Sequence, residues 1–207
     1  MGTMRRIATL ATLLLVACAA EEPPPGTVIG TFDFVATLEA EGDCLLEEIA
    51  GVPASFSFTA ILSHEPEDDK LWFRSGATEQ VGTLKGNRFF LETPEGGGGI
   101  PRAFNACTVA RRQPCPFLLR EVIDARIYSD CSGELDEPAE AISAACPEMQ
   151  EDGTLLWHNC ACVRGRLEEV VWFVPEGTEV CTCQTDAGAE IFEGSCRLGY
   201  RLEGEKR

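Results

Sequence analysis

The chain has 207 residues, with 34 acidic residues against 17 Lys and Arg, a formal net charge of −17 and 44% hydrophobic residues. That length suits one domain of good size or two small ones. A surface this acidic is repelled by nucleic-acid phosphates and anionic headgroups, which argues against a nucleic-acid partner and against adhesion to a membrane surface by charge.

Met1 to Arg6 carry two positive charges and no acid, and Ile7 to Ala17 form an almost purely apolar run of eleven residues. This is the length of a signal-peptide core and too short to span a bilayer. The run closes on Leu15-Val16-Ala17-Cys18, which resembles the lipobox of bacterial lipoproteins. The resemblance implies that residues 1–17 are a cleaved signal peptide and that Cys18 becomes the lipidated N-terminus. Its thiol would take a diacylglyceryl group and its amino group a further palmitate-type chain. Two or three buried chains hold firmly where one holds marginally, so the expected partner is a membrane reached through the anchor. Ala19 stands where that family uses aspartate for inner-membrane retention, which implies the outer membrane of a two-membrane envelope. The plainer alternative is a secreted chain that discards Cys18 with its leader. Cleavage would leave 15 basic and 34 acidic residues, a formal charge of −19.

Cysteine parity points the same way. Eleven cysteines are an odd number, which would leave one thiol over in an exported chain. Setting Cys18 aside leaves Cys44, Cys107, Cys115, Cys131, Cys146, Cys160, Cys162, Cys181, Cys183 and Cys196, enough for five disulfides in an oxidising compartment. Cys44 has no possible partner before Cys107. A bridge across the middle of the chain is therefore expected, and with it one β domain over residues 27–207.

Residues 18–26 hold the lipidated cysteine and a short acidic, proline-stiffened tether, Ala-Ala-Glu-Glu-Pro-Pro-Pro-Gly after Cys18. From Val28 to Ala40 the even positions are Val28, Gly30, Phe32, Phe34, Ala36, Leu38 and Ala40, a strand of period two. Ala54 to Ser63 repeats the device with Phe56, Phe58, Ala60 and Leu62. Further strands are expected at Leu71–Arg74, Gln80–Leu84 and Arg88–Leu91, the last two joined by a tight turn at Lys85-Gly86-Asn87. Glu95 to Gly99 reads as a glycine-rich loop. Strands are expected again at Phe117–Tyr128, Leu155–Val163, Leu167–Val174 and from Ser195 to Leu202. Residues 136–146, opened by Asp136 with Pro138 in the first turn, carry the one helix signal. The expected fold class is all-β: a disulfide-rich antiparallel sandwich or small barrel with room for one short helix.

Chemistry-bearing groups are few. Cys160 and Cys162, with Cys181 and Cys183, make two Cys-x-Cys pairs that could build a four-thiolate metal site. The exported setting and the six other cysteines favour bridges to neighbouring strands or loops instead. His64-Glu65-Pro66-Glu67-Asp68 shares only its first two residues with a zinc-protease helix and reads as an acidic loop. Glu65, Glu67, Asp68 and Asp69 lack the spacing of a calcium loop. His158 precedes Cys160 by two positions, and a polar strand position explains it more simply than a Cys-His nucleophile. Glu121, Asp124, Glu168 and Glu169 could pair as acid and base, although acids are abundant enough to pair by chance. Arg164 and Arg166, beside Glu168 and Glu169, are expected to form surface ion pairs. Serine-nucleophile, dinucleotide and phosphate-loop motifs are missing from the sequence.

The functional expectation is a lipid-anchored, noncatalytic binding or envelope-structural module facing an envelope or extracellular ligand, without a cofactor or bound metal. The competing expectations are an exported carboxylate hydrolase or carbohydrate-active enzyme, and a metal-binding protein using Cys160, Cys162, Cys181 and Cys183.

Overall fold

A strand with one apolar face must bury that face, and these strands do so by rolling into a tube. The computed structural model describes residues 24–39, 54–93, 107–109, 113–115, 117–131, 146–173, 177–185, 188–192 and 195–207. In chain order the strands are β1 (Thr27–Leu38), β2 (Ser55–Glu65), β3 (Lys70–Ser75), β4 (Thr78–Lys85), β5 (Arg88–Glu92), β6 (Cys107–Val109) and β7 (Gln113–Pro114). They continue with β8 (Phe117–Tyr128), β9 (Glu148–Met149), β10 (Leu155–Leu156), β11 (Cys162–Phe173), β12 (Cys181–Thr185), β13 (Gly188–Phe192) and β14 (Ser195–Lys206). Eight of them close a barrel in the order β1-β14-β11-β8-β5-β4-β3-β2. Every neighbouring pair is antiparallel. Of the two all-β architectures expected, the chain adopts the barrel.

The up-and-down course gives the barrel two mouths. At the first lie the start of β1, the β2–β3 turn, the tight β4–β5 turn, the end of β8, the start of β11 and the end of β14. At the second lie the opposite ends of the same strands. The long β8–β11 connection, with the β9-β10 hairpin, belongs to the first mouth. The β5–β8 and β11–β14 connections belong to the second, where they supply the four-stranded sheet β13-β12-β6-β7.

Buried side chains line the interior. Phe32, Phe34, Leu62, Leu71, Phe89, Ile127, Leu167, Leu198, Tyr200 and Leu202 are fully buried. Phe34 stacks on Phe58 at 5.0 Å between ring centroids, and Phe56 meets Tyr200 edge-on at 5.2 Å. Small residues make room for these rings. The Phe34 ring lies over Gly204, its partner across β1 and β14. At Gly165 a Cβ would stand 2.3 Å from the Asp124 carbonyl oxygen and 2.4 Å from the Ala125 Cα.

Several elements differ from the sequence expectation. A register shift between Val28 and Gly30 turns the start of β1 over, so Val28 is 45% exposed and Ile29 is buried in its place. The strand expected at Leu155–Val163 is two elements: β10 ends at Leu156, and a turn through Trp157 and Cys160 intervenes before β11. Gly165 does not interrupt β11, which runs unbroken through the expected Leu167–Val174 segment as far as Phe173. β6, β7, β9, β12 and β13 were not expected. The helix signal at 136–146 falls outside the described residues except for Cys146, as do Ala40 and the Glu95 to Gly99 loop.

The close approach at Gly165 generates a stability prediction. Gly165→Ala should lower the unfolding free energy by about 1–3 kcal/mol through overpacking against β8. Gly199→Ala, where a Cβ meets nothing within 4 Å, should change it by less than about 0.5 kcal/mol. Urea unfolding of both variants against the parent chain measures the contrast.

Candidate functional site

The cysteines segregate by mouth. At the first, Cys131 is bonded to Cys162 and Cys146 to Cys160, so the β8–β11 connection is tied near its start to the first residue of β11 and from its middle to its own last turn. At the second, Cys107 is bonded to Cys183, its register partner across β6 and β12, and Cys115 to Cys181. Cys196 is also disulfide-bonded. The other eight described cysteines pair among themselves. Within Cys160-Ala161-Cys162 and Cys181-Thr182-Cys183 the members bond to different partners. The two pairs also lie at opposite mouths, which separates the four sulfurs of the proposed thiolate site by the length of the barrel. The sulfurs of Cys107, Cys181 and Cys183 come within 4.8 Å of one another. This is the contact of two neighbouring bridges, and a sulfur in a disulfide has no thiolate to offer a metal.

Two of the four candidate carboxylates do meet. Glu121 on β8 is the register partner of Glu169 on β11. Both side chains face the interior, 4% and 0% exposed. The Glu121 backbone is fixed by Thr93: its N–H donates to Thr93 Oγ1 at 2.7 Å, and its carbonyl accepts the Thr93 N–H at 2.9 Å. Antiparallel register partners have Cβ atoms about 5 Å apart, close enough for acid-base cooperation, but hydrolysis also requires a route for substrate and water. Both side chains are withdrawn from solvent. Asp124 and Glu168 point outward instead. Asp124 takes a two-pronged contact from Arg88 at 2.8 and 2.5 Å, and Glu168 faces Arg197 at 3.7 Å. The Arg88 hydrogen bond holds the Asp124 carboxyl below its usual range. Arg166 pairs with Glu39 at 2.9 Å and Arg164 donates to the Cys131 carbonyl, so both arginines reach beyond the acids next to them in sequence.

The first mouth holds a cavity of about 230 Å³. Its walls include Thr27 from β1, His64 from the end of β2, Pro66 from the turn that follows, and Asp152, Thr154, Leu155 and Trp157 from the β8–β11 connection, which forms a plug over this mouth. His64 is a correction to the acidic-loop reading. It continues the inward phase of Phe56, Phe58, Ala60 and Leu62, lies within β2 and is 4% exposed. Its ring meets Trp157 edge-on at 5.6 Å, and its Nε2 has no hydrogen-bond partner. Burial holds the imidazole below its usual pKa, against the opposing charge of Asp69. Opposite it, the Asp152 carboxylate accepts the Thr154 N–H at 2.9 Å, which lowers its own pKa. Lys206 Nζ donates to the Trp157 carbonyl at 3.1 Å and anchors the plug to the end of β14.

The remaining candidates are ordinary surface. Pro66–Asp68 is a single 3-10 turn in which Lys70 binds Asp68 at 2.5 Å. The His158 side chain is 59% exposed, with Glu148 at 3.7 Å. Cys18 and Cys44 lie outside the described residues.

No family model, curated protein or solved structure matches the chain. The site is therefore read from its own chemistry.

The depressed pKa of His64 fixes the sign of a pH effect. The unfolded chain takes up the proton first, near pH 6.5. The contribution of the neutral buried ring is thus fully present above that pH and is lost as pH falls towards the folded value. Asp33 and Asp124, whose pKa values are also lowered, act in a more acidic range. Unfolding free energies at pH 7.5 and 5.5 should therefore fall more on acidification in the parent chain than in His64→Phe. Equal falls would contradict the assignment.

Proposed function

We propose that the protein is an exported lipoprotein, tethered to a membrane through Cys18, whose barrel serves as a noncatalytic binding or envelope-structural module. The observation that carries the noncatalytic part is the burial of the one candidate carboxylate pair that meets, Glu121 and Glu169, at 4% and 0% exposed. Phe32, Phe34, Phe89, Leu62, Leu167 and Leu202 turn their side chains into the barrel, where small barrels are commonly packed with side chains. Disulfide-tied connections lie at both mouths. Such a body is a rigid platform that presents its outer wall and plugs to a partner. The disulfides support export, because bridges at this density persist in oxidising compartments. The leader, the lipobox and the odd cysteine support the anchor, and Ala19 favours the outer membrane. Among the described residues no helix is long and apolar enough to cross a membrane. The alternative of a carboxylate hydrolase rests on Glu121 and Glu169, whose burial leaves them out of reach of a polymeric substrate.

Replacement of Cys18 by Ser tests the anchor. Metabolic labelling with a fatty-acid analogue should disappear, and the chain should accumulate as an unprocessed precursor or leave the membrane fraction. Labelling that persists in Cys18→Ser contradicts the proposal.

A further inference from the structure

The cavity at the first mouth combines features that the platform reading does not use. Its volume of about 230 Å³ exceeds the roughly 150 Å³ that accommodates benzene, so it has room for a ligand of about nine heavy atoms. The wall contains one carboxylate, Asp152, and no lysine or arginine. Lys206 donates to the Trp157 carbonyl and is not part of that wall. Asp69 adds negative potential close to His64. Trp157, Thr27 and Thr154 also line it, and the Thr154 side chain is hydrogen-bonded to Asp152. His64 leaves Nε2 unpartnered although the residue is buried, and an unpartnered buried polar atom is costly unless something meets it.

From this geometry we infer that the cavity is a binding site for a small organic ammonium group, set against Asp152 and Trp157 with an N–H directed to His64. Each part follows from the chemistry of the lining. A carboxylate with no competing cation selects positive charge, an indole attracts cations to its face, and a neutral imidazole offers a lone pair to a donor. A chain of net charge −17 also concentrates cations around itself. A polyol of similar size would match the hydroxyls and the imidazole but would leave the carboxylate without a counter-charge. The inference concerns the folded barrel and does not depend on the lipid anchor.

Isothermal titration of the full-length folded chain with ethylammonium and tetramethylammonium, and with glucose as the neutral control, tests the site. Saturable binding of ethylammonium is expected, weakened by salt and reduced a few-fold in Asp152→Asn, whereas tetramethylammonium, which has no N–H for His64, should bind more weakly. Asp152 lies in an exposed turn, so that variant should keep the parent's unfolding curve. A perturbed His64 ring signal in the NMR spectrum on binding would locate the ion at this mouth. Binding of glucose without either ammonium ion would overturn the inference. So would ethylammonium binding that is indifferent to Asp152→Asn, binding of tetramethylammonium in preference to ethylammonium, or the absence of saturable ethylammonium binding.

Discussion

The antiparallel pairing of β1 with β14, running from Phe32 opposite Lys206 to Leu38 opposite Tyr200, is the constraint on which everything else depends. It joins the first and last described strands and turns an open meander into a tube. An open sheet would expose two rows of unpaired backbone groups, and closure removes both. Closure also fixes the interior volume, and the side chains then have to fit it. Phe34 requires Gly204 beneath its ring, and the close approach of β11 to its neighbour β8 requires glycine at position 165. Lys206 and Arg207, at the end of β14, extend the seam with polar contacts. Lys206 reaches the Trp157 carbonyl at 3.1 Å and Arg207 reaches Asp33 at 2.7 Å.

A closed tube has two ends to protect from water, and the disulfides are placed there. The bridges span 14 and 31 residues at the first mouth and 66 and 76 at the second. Chain-entropy arguments give about 3 kcal/mol for the shortest and about 4.5 for the longest, by restricting the unfolded chain. Their local effect is positional. The plug that carries Trp157 and Asp152 is short of regular structure, with only the hairpin β9-β10 among its described residues. The bridges hold it over the barrel where strand pairing does not. His64 and the cavity exist because this plug meets the end of β2, so the candidate site results from closure and bridging together.

Much of this was legible in the sequence. Period-two alternation located β1, β2 and β14 because each has one face turned to a single core. The spacing Lys85-Gly86-Asn87-Arg88 announced the two-residue turn, with Gly86 at φ +59°. Cysteine type and parity announced a disulfide framework. What escaped has physical reasons. The shift at Val28 is a pairing event between two strands, invisible along one of them. β12 escaped because its buried face is built from Cys181 and Cys183, both in disulfides, rather than from leucine or phenylalanine. His64 could have been found, since it stands two residues beyond Leu62 in an unbroken inward phase, but Pro66 and the acids after it suggested that the strand had already ended. The opposition of Glu121 and Glu169 depends on the register between β8 and β11, which no pattern within either strand specifies.

The central claim is a closed barrel whose two mouths are tied independently by disulfides. Non-reducing peptide mapping of the folded protein, with thiol counting after denaturation, tests it most directly. The account predicts four bridges, Cys131–Cys162 and Cys146–Cys160 at one mouth and Cys107–Cys183 and Cys115–Cys181 at the other. A peptide carrying Cys196 should be joined to one carrying Cys44, with no free thiol among these ten. A bridge from Cys160 or Cys162 to Cys181 or Cys183 would contradict it. Four free thiols accompanied by stoichiometric zinc or iron would do the same.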